Sequence, residues 1–235
     1  MQALCDTDVR ARNTIRRLFA TTHAEFLDVL YDDLAVALKL LDDSANNYPE
    51  DEPEDATTNR LSFILNGMDY SASHNKQAGG NVDLTVEVTR RNFSWIGEAK
   101  RFESLTGMRE GYLQLATRYR PSMDSDGILH GGLIGYIRKA NASGLMQSWH
   151  DHFVAMPEAS GPLIEPCARR KNLGFISQHA HQDYGLPLRV WHMCAVMRVA
   201  PQDKSARGAK KHQKNLQSVP APVAKRARKS KPQAN

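Results

Sequence analysis

The stretch from residue 82 to residue 99 constrains the fold of this chain most, because it alternates apolar and polar residues twice. The first apolar set is Val82, Leu84, Val86 and Val88, with polar Asp83, Thr85 and Glu87 between its members. Strict alternation with β-branched residues predicts a strand. A polar turn at 90–92 follows, and then a second set made of Phe93, Trp95, Gly97 and Ala99. The two runs predict a β-hairpin with Asp83 and Glu98 side by side near one end of the sheet.

The polar residues at that end of the hairpin have the chemistry of a metal site. Side chains two residues apart on a strand share a face, so Glu98 and Lys100 point the same way. The carboxylates of Asp83 and Glu98 can hold a hard divalent cation, Mg²⁺ or Mn²⁺, through oxygen. A nearby lysine can orient a water, help to deprotonate it, or stabilise charge on a phosphate. The set therefore suits metal-dependent hydrolysis of phosphodiester bonds.

The motif resembles that of the PD-(D/E)XK, or restriction-endonuclease-like, nucleases. Their signature is an acid after a glycine-rich entry, followed by (D/E)-x-K on the next strand. The segment 98–100, Glu-Ala-Lys, matches the second part, and 81–83, Asn-Val-Asp, matches the first part loosely. The resemblance covers roughly residues 54 to 139. It implies an α/β fold with a mixed central β-sheet flanked by helices and an αβββαβ core.

The resemblance also implies roles for the motif residues. Asp83 and Glu98 would ligate the metal, with the main-chain carbonyl of Ala99 as a further ligand. Lys100 would position or activate the attacking water.

A helix is predicted before the hairpin, because Leu61, Ile64, Leu65 and Met68 recur at helical spacing. Glu54 lies two helical turns before Leu61, on nearly the same face. The resemblance implies a metal-side acid on such a helix, which makes Glu54 the candidate third carboxylate. The alternative is that Glu54 only stabilises the helix N-terminus through the macrodipole.

A second helix is predicted after Lys100, from the apolar spacing of Met108, Tyr112, Leu115 and Tyr119. It should end near Arg120, because Pro121 follows. Gln114 and Arg118 lie on another strip, where either side chain could contact a phosphate. The resemblance points to Gln114 as a catalytic residue, since RecB-type members carry a Gln and a Tyr here. Tyr119 follows Gln114 at a spacing one residue longer than that pattern. For Arg118 the alternative is a solvated charge.

Charge and composition divide the chain into three parts. Residues 1–45 form a helical segment with Leu27, Leu30, Leu34, Leu38 and Leu41 on one face; residues 46–200 form the nuclease-like core; residues 201–235 form a basic tail. The tail holds ten Lys or Arg and one acid, a net charge of +9, against −4 for the other 200 residues. Such a tail is predicted to be disordered and to attract phosphate backbones without sequence preference. Its candidate nucleic-acid contacts are Lys210, Lys211, Lys225, Arg226, Arg228 and Lys229. The alternative is that it only confers solubility.

Several classes of protein are disfavoured. No apolar stretch approaches the ~18 residues of a membrane span. The cysteines at 5, 167 and 194 are too scattered for a disulfide framework, which favours a reducing, cytoplasmic setting. A zinc site at His179, His181 and His192 is conceivable, but histidines in ordinary packing or solvent contacts are favoured.

The function expected from these features is a Mg²⁺- or Mn²⁺-dependent nuclease, with DNA favoured over RNA as its partner. Restriction or antiphage defence is a candidate setting, and a homo-oligomer or a partner subunit stays open. The alternatives are a catalytically inactive nucleic-acid-binding module, a subunit that docks a partner protein through its N-terminal helices, and chance placement of solvated Glu and Lys on the strands.

Overall fold

A mixed β-sheet forms the centre of the protein. The computed structural model describes residues 8–77 and 80–201. In chain order the strands are β1 (Ser71–Ser73), β2 (Lys76–Gln77), β3 (Asn81–Val82), β4 (Leu84–Val88), β5 (Phe93–Arg101), β6 (Ser122–Met123), β7 (Leu129–Ile137), β8 (Leu163–Pro166), β9 (Gly174–Ala180) and β10 (Pro187–Val196). The main sheet has the order β1-β4-β5-β7-β10-β9-β8, β6 pairs with β7, and β2 and β3 form a separate pair. The β5–β7 and β7–β10 pairs are parallel, and the other pairs are antiparallel.

Helices cover both faces of this sheet. They are α1 (Val9–Phe19), α2 (His23–Asp43), α3 (Glu54–Asn66), α4 (Leu105–Leu113), which continues as a π-helical segment (Gln114–Arg118), and α5 (Ala142–Val154). Residues of α2 and α3 share one buried cluster with one side of the central strands. Residues of α4 and α5 share a second cluster with the other side. The predicted α/β class and the mixed central sheet flanked by helices are thus confirmed.

The N-terminal helices form because the local sequence supplies caps and one apolar face. Thr22 accepts from the Glu25 N–H, and the Glu25 carboxylate accepts from the Thr22 N–H, so a capping box starts α2 after α1 has ended. The predicted leucine stripe of α2 is buried against the sheet. Burial of each such side chain contributes about 2 kcal/mol.

Two glycines on the central strands leave room for the indole ring of Trp95 on the side of the sheet that faces α2. A Cβ on Gly132 would lie 2.3 Å from Trp95 Cζ2, and one on Gly97 would lie 2.6 Å from Trp95 Cη2. The indole therefore lies flat across two adjacent strands, β5 and β7. Its Nε1 donates to the Tyr31 hydroxyl of α2 at 2.9 Å, which satisfies a polar atom in the core.

The strand order places the motif strand at the middle of the sheet. β5 pairs with β4 on one side and with β7 on the other, and α4 carries the chain from β5 to β7. β7 lies directly beside the motif strand β5, and the apolar strand β10 is an interior strand of the same sheet. No helix in the described ranges is long and apolar enough to cross a membrane.

Candidate active site

Asp83 lies between two short ladders at one end of the hairpin. The β4–β5 register begins with Leu84 opposite Gly97, so Asp83 comes next in line, opposite Glu98. Its Oδ2 accepts from the Ala99 N–H at 3.0 Å. The N–H and C=O of a strand residue point to the same side, so the Ala99 carbonyl faces this side as well. The structure therefore brings Asp83, Glu98 and the main chain of Ala99 together.

Glu98 is a buried carboxylate in the middle of the sheet. Its residue exposure is 0%, and α4 covers it, because a Cβ on Gly111 would lie 3.3 Å from Glu98 Cγ. The small Gly111 allows the helix to pass over Glu98 and Lys100. The Gln114 amide, oriented with its nitrogen toward Glu98, donates to this carboxylate.

Lys100 places its ammonium group among three carboxylates. Its Nζ forms an ion pair with Glu98 Oε1 and lies 3.5 Å from both Asp83 Oδ2 and Glu54 Oε1. Glu54 comes from the first turn of α3, and its second oxygen accepts from the Arg101 N–H. Three separate elements of the fold therefore converge on one amine.

Burial and the neighbouring carboxylates shift the pKa values of Glu98 and Lys100. Burial, and then the charge of Asp83, raises the pKa of Glu98 to about 8, although Lys100 acts in the opposite direction. Burial lowers the pKa of Lys100, but the Glu98 hydrogen bond and the charges of Glu98, Asp83 and Glu54 outweigh it, so that pKa is raised overall. Burial in this site therefore favours the protonated form of Glu98 more than water does, while the surrounding acids keep the lysine charged.

Tyr119 belongs to this site, although its spacing from Gln114 is one residue longer than the pattern of the resembling nucleases. Its hydroxyl lies 2.9 Å from Glu98 Oε2 and 2.7 Å from the Asn81 carbonyl oxygen. A phenol has one hydrogen, so the Tyr119 hydroxyl shares its single donated bond between the Glu98 carboxylate and the Asn81 carbonyl. The bond to Glu98 favours the charged carboxylate and acts against the burial that raises the pKa of Glu98.

The π-helical segment explains how Tyr119 reaches the site. The Tyr119 N–H donates to the Gln114 carbonyl, a bond between residues five apart. That turn holds one residue more than an α-helical turn. This wider turn accommodates the additional residue between Gln114 and Tyr119, so that both side chains reach Glu98.

Arg118 is exposed at the end of the same segment. A Cβ on Gly80 would lie 2.6 Å from Arg118 Nε, so the side chain crosses the backbone just before β3. Its guanidinium carbon lies 5.9 Å from the centre of the Tyr119 ring. The Lys and Arg residues predicted to bind nucleic acid from the tail, 210 to 229, lie outside the described residues.

The donor set fits a hard divalent cation in its chemistry. Three carboxylates and one carbonyl are the oxygen ligands that Mg²⁺ and Mn²⁺ take. In the arrangement seen, the Lys100 ammonium lies among the carboxylates, and within residues 8–77 and 80–201 no three His, Cys, Asp or Glu side chains are spaced to hold a metal. A cation that enters here requires Lys100 to turn away from Glu98.

The histidines considered for zinc make ordinary contacts instead. His192 accepts from Trp149 Nε1 at 3.1 Å, and its other ring nitrogen bonds Ser177. His179 bonds the Tyr112 hydroxyl at 3.0 Å. These contacts agree with the favoured interpretation for His179 and His192. His181 accepts from the Asp183 N–H through Nδ1, and its buried Nε2 has no hydrogen-bond partner among the described residues.

Comparisons with protein-family models, with curated proteins and with solved structures gave no match to this chain. The function is therefore inferred from the site itself.

Proposed function

We propose that this protein is a Mg²⁺- or Mn²⁺-dependent nuclease that hydrolyses phosphodiester bonds, with DNA favoured over RNA. One observation carries the proposal: Glu54, Asp83 and Glu98 come from three different elements and converge on Lys100. Two of these acids are mostly buried, and burial of like charges is costly unless they serve a cation. Acids that only interact with solvent would not need to converge from three elements on one lysine.

The order of the elements supports a restriction-endonuclease-like core. A helix, α3, precedes three antiparallel strands, β1, β4 and β5. The crossover helix α4 and the parallel strand β7 follow. Apart from the small β2–β3 pair and the two-residue strand β6 before β7, this is the αβββαβ sequence implied by the motif resemblance.

Each residue has a distinct role in the proposed reaction. Asp83, Glu98, Glu54 and the Ala99 carbonyl would hold the cation, which supplies charge neutralisation and lowers the pKa of water. Lys100, once displaced from Glu98, would orient the attacking water or donate to a phosphate oxygen. Gln114 and Tyr119 would hold the Glu98 carboxylate in its orientation. Arg118 would contact the nucleic-acid backbone, together with the basic tail.

The proposed setting is a reducing compartment, the cytoplasm, with restriction or antiphage defence as the candidate process. Cys167 and Cys194 are buried free thiols, which is consistent with reducing conditions.

One observation favours a second candidate, a nucleic-acid-binding module that does not cleave. The Lys100 ammonium already neutralises part of the carboxylate charge without a metal. Such a module would bind nucleic acid equally well in EDTA and in Mg²⁺, whereas a nuclease needs the cation for the chemical step.

The deciding experiment is cleavage of supercoiled plasmid and of single-stranded DNA in Mg²⁺, Mn²⁺, Ca²⁺ or EDTA. Wild-type protein is compared with Asp83→Asn and with Asp126→Asn, a matched control on an exposed turn. We expect cleavage in Mg²⁺ and Mn²⁺ by the wild type and the control, and loss of cleavage in Asp83→Asn. Equal activity in both variants would overturn the assignment.

A further inference from the structure

His74 lies in the turn between β1 and β2 and contacts two segments of the candidate site. Its Nδ1 lies 2.7 Å from the main-chain oxygen of Asp83. Its Nε2 lies 3.5 Å from Oδ1 of Asp55, the residue that follows Glu54 in α3. Only 7% of the side chain is exposed. One buried ring therefore lies between the sheet break at Asp83 and the first turn of α3, which carries Glu54.

The backbone of Asp83 lies outside the paired part of both neighbouring ladders. The β2–β3 ladder ends at Val82, and the β4–β5 ladder begins at Leu84. A carbonyl oxygen only accepts hydrogen bonds, so His74 donates from Nδ1. Buried carbonyl groups in proteins are almost always paired, and the ring provides this one with a partner at a break in the sheet.

We infer that His74 is a positioning residue of the active site. It holds the Asp83 main chain at the sheet break, so that the carboxylate stays directed at Glu98 and Lys100. This inference depends on the proposed function, because positioning has a measurable effect on activity only if Asp83 binds a cation.

The two ring nitrogens can be tested separately with amide side chains. An asparagine at position 74 places its amide nitrogen near the position of Nδ1, whereas a glutamine places it near Nε2. His74→Asn should therefore keep the bond to Asp83, and His74→Gln and His74→Ala should lose it. His150→Ala is the matched control, since His150 lies on α5 and its Nδ1 contacts exposed Asp151.

The measurements are the Mn²⁺ dissociation constant by calorimetry, and kcat and KM for plasmid cleavage. Loss of a residue that orients a metal ligand typically weakens metal binding or activity about 10- to 100-fold. We expect His74→Ala and His74→Gln to weaken Mn²⁺ binding and lower kcat by about tenfold or more, with KM for DNA unchanged. His74→Asn and His150→Ala should stay close to wild type in all three measurements. A folded His74→Ala protein with wild-type Mn²⁺ affinity and kcat would overturn the inference.

A separate measurement distinguishes failure of this inference from failure of the proposed function. The ¹³C shift of the Asp83 carbonyl reports its hydrogen bond without metal or substrate. The carbonyl shift should change in His74→Ala and return to the wild-type value in His74→Asn. This result is expected even if the wild-type protein neither binds Mn²⁺ nor cleaves DNA. In that case the nuclease proposal fails, while the hydrogen bond from His74 stands. An unchanged carbonyl shift in His74→Ala would show that the hydrogen bond from His74 is absent. This measurement remains possible if His74→Ala is too unstable for kinetic assays.

Discussion

The Lys100 ammonium is paired with Glu98, a carboxylate two residues earlier on the same strand and fully buried under α4. The same ammonium lies 3.5 Å from Asp83 and from Glu54. A lysine in this position compensates acids that would otherwise repel one another in a medium of low dielectric constant. The proposed cation would take over that compensation, which leaves the lysine free to act on water or phosphate.

Replacement of Lys100 by methionine separates these two functions. A protonated lysine has no lone pair for a metal, so Lys100→Met should retain Mn²⁺ binding. Cleavage at saturating Mn²⁺ should fall by about 100-fold or more, the usual effect of removing a group that assists proton transfer. Calorimetry and single-turnover cleavage measure the two effects.

Lys139→Met is the control for this variant, because Lys139 donates to the Glu103 carbonyl and contacts none of the three acids in the described structure. Its Mn²⁺ affinity and cleavage should match wild type. Loss of Mn²⁺ binding in Lys100→Met would assign the lysine a structural role.

The affinity for Mn²⁺ should depend on pH, because the metal competes with a proton on Glu98. Burial and Asp83 raise the pKa of Glu98 to about 8. Below that pH, metal binding must release the proton, so the apparent affinity should rise about tenfold per pH unit between pH 6 and 8 and level off above. Calorimetry in buffers of different ionisation enthalpy would count the released proton. An affinity that is flat across this range contradicts the shifted pKa.

The same shift predicts that the metal-free protein loses stability as pH rises. The pKa of Glu98 is higher in the folded protein than the ordinary value of 4.5 for a glutamate. Its stabilising contribution is therefore complete below about pH 4.5 and disappears as pH rises through about 8. The maximum slope from this one group is about 1.4 kcal/mol per pH unit.

Urea unfolding in EDTA at several pH values between 5 and 8 measures that slope. Glu98→Gln should flatten it. Glu87→Gln, a change at a partly exposed acid on β4 that pairs with Lys76, should leave it unchanged. A metal-free protein with the same slope in wild type and Glu98→Gln would show that another group is responsible.

The sequence predicted the hairpin and the paired acids because their pattern is local. Alternation fixes which side chains share a face. The connection 89–92, one residue longer than the predicted turn, pairs Val88 with Phe93 and so sets Asp83 opposite Glu98. The same reasoning from periodicity placed α3 and thereby the position of Glu54. These features follow from residues within one or two elements.

Contacts that depend on irregular backbone could not be predicted in this way. Tyr119 reaches Glu98 because the helix takes one wider turn after Gln114, and apolar spacing does not reveal that turn. His74 meets Asp83 through a short turn between strands of two or three residues, which carry no periodic signal. Both side chains are positioned by tertiary packing around the acids.

Tyr119→Phe tests whether the hydroxyl at Glu98 contributes to the site. The change removes the hydrogen bonds with Glu98 Oε2 and with the Asn81 carbonyl but keeps the ring in the core. We expect Mn²⁺ affinity or kcat to fall by about tenfold, as for other residues that orient a metal ligand.

The matched control is Tyr112→Phe, on the preceding turns of the same helix. Tyr112 is equally buried, and its hydroxyl bonds His179 rather than the acids. It should lose some stability and keep its activity per folded molecule. Similar losses of activity in both variants would indicate a general packing effect instead of a role for the Tyr119 hydroxyl.

Deletion of residues 202–235 tests the proposed role of the basic tail. The segment 201–235 carries a net charge of +9 on a chain whose other 200 residues carry −4. Its removal should weaken nucleic-acid binding and reduce the slope of log K against log salt by roughly 0.7 to 0.9 for each phosphate that the tail would otherwise neutralise. The chemical step should persist, because Glu54, Asp83, Glu98 and Lys100 all lie within the described fold.

Fluorescence anisotropy at several salt concentrations measures the slope, and single-turnover cleavage at saturating substrate measures the rate. A tail that only confers solubility would leave the slope unchanged, and a truncated protein that binds normally but does not cleave would place part of the active site in the tail.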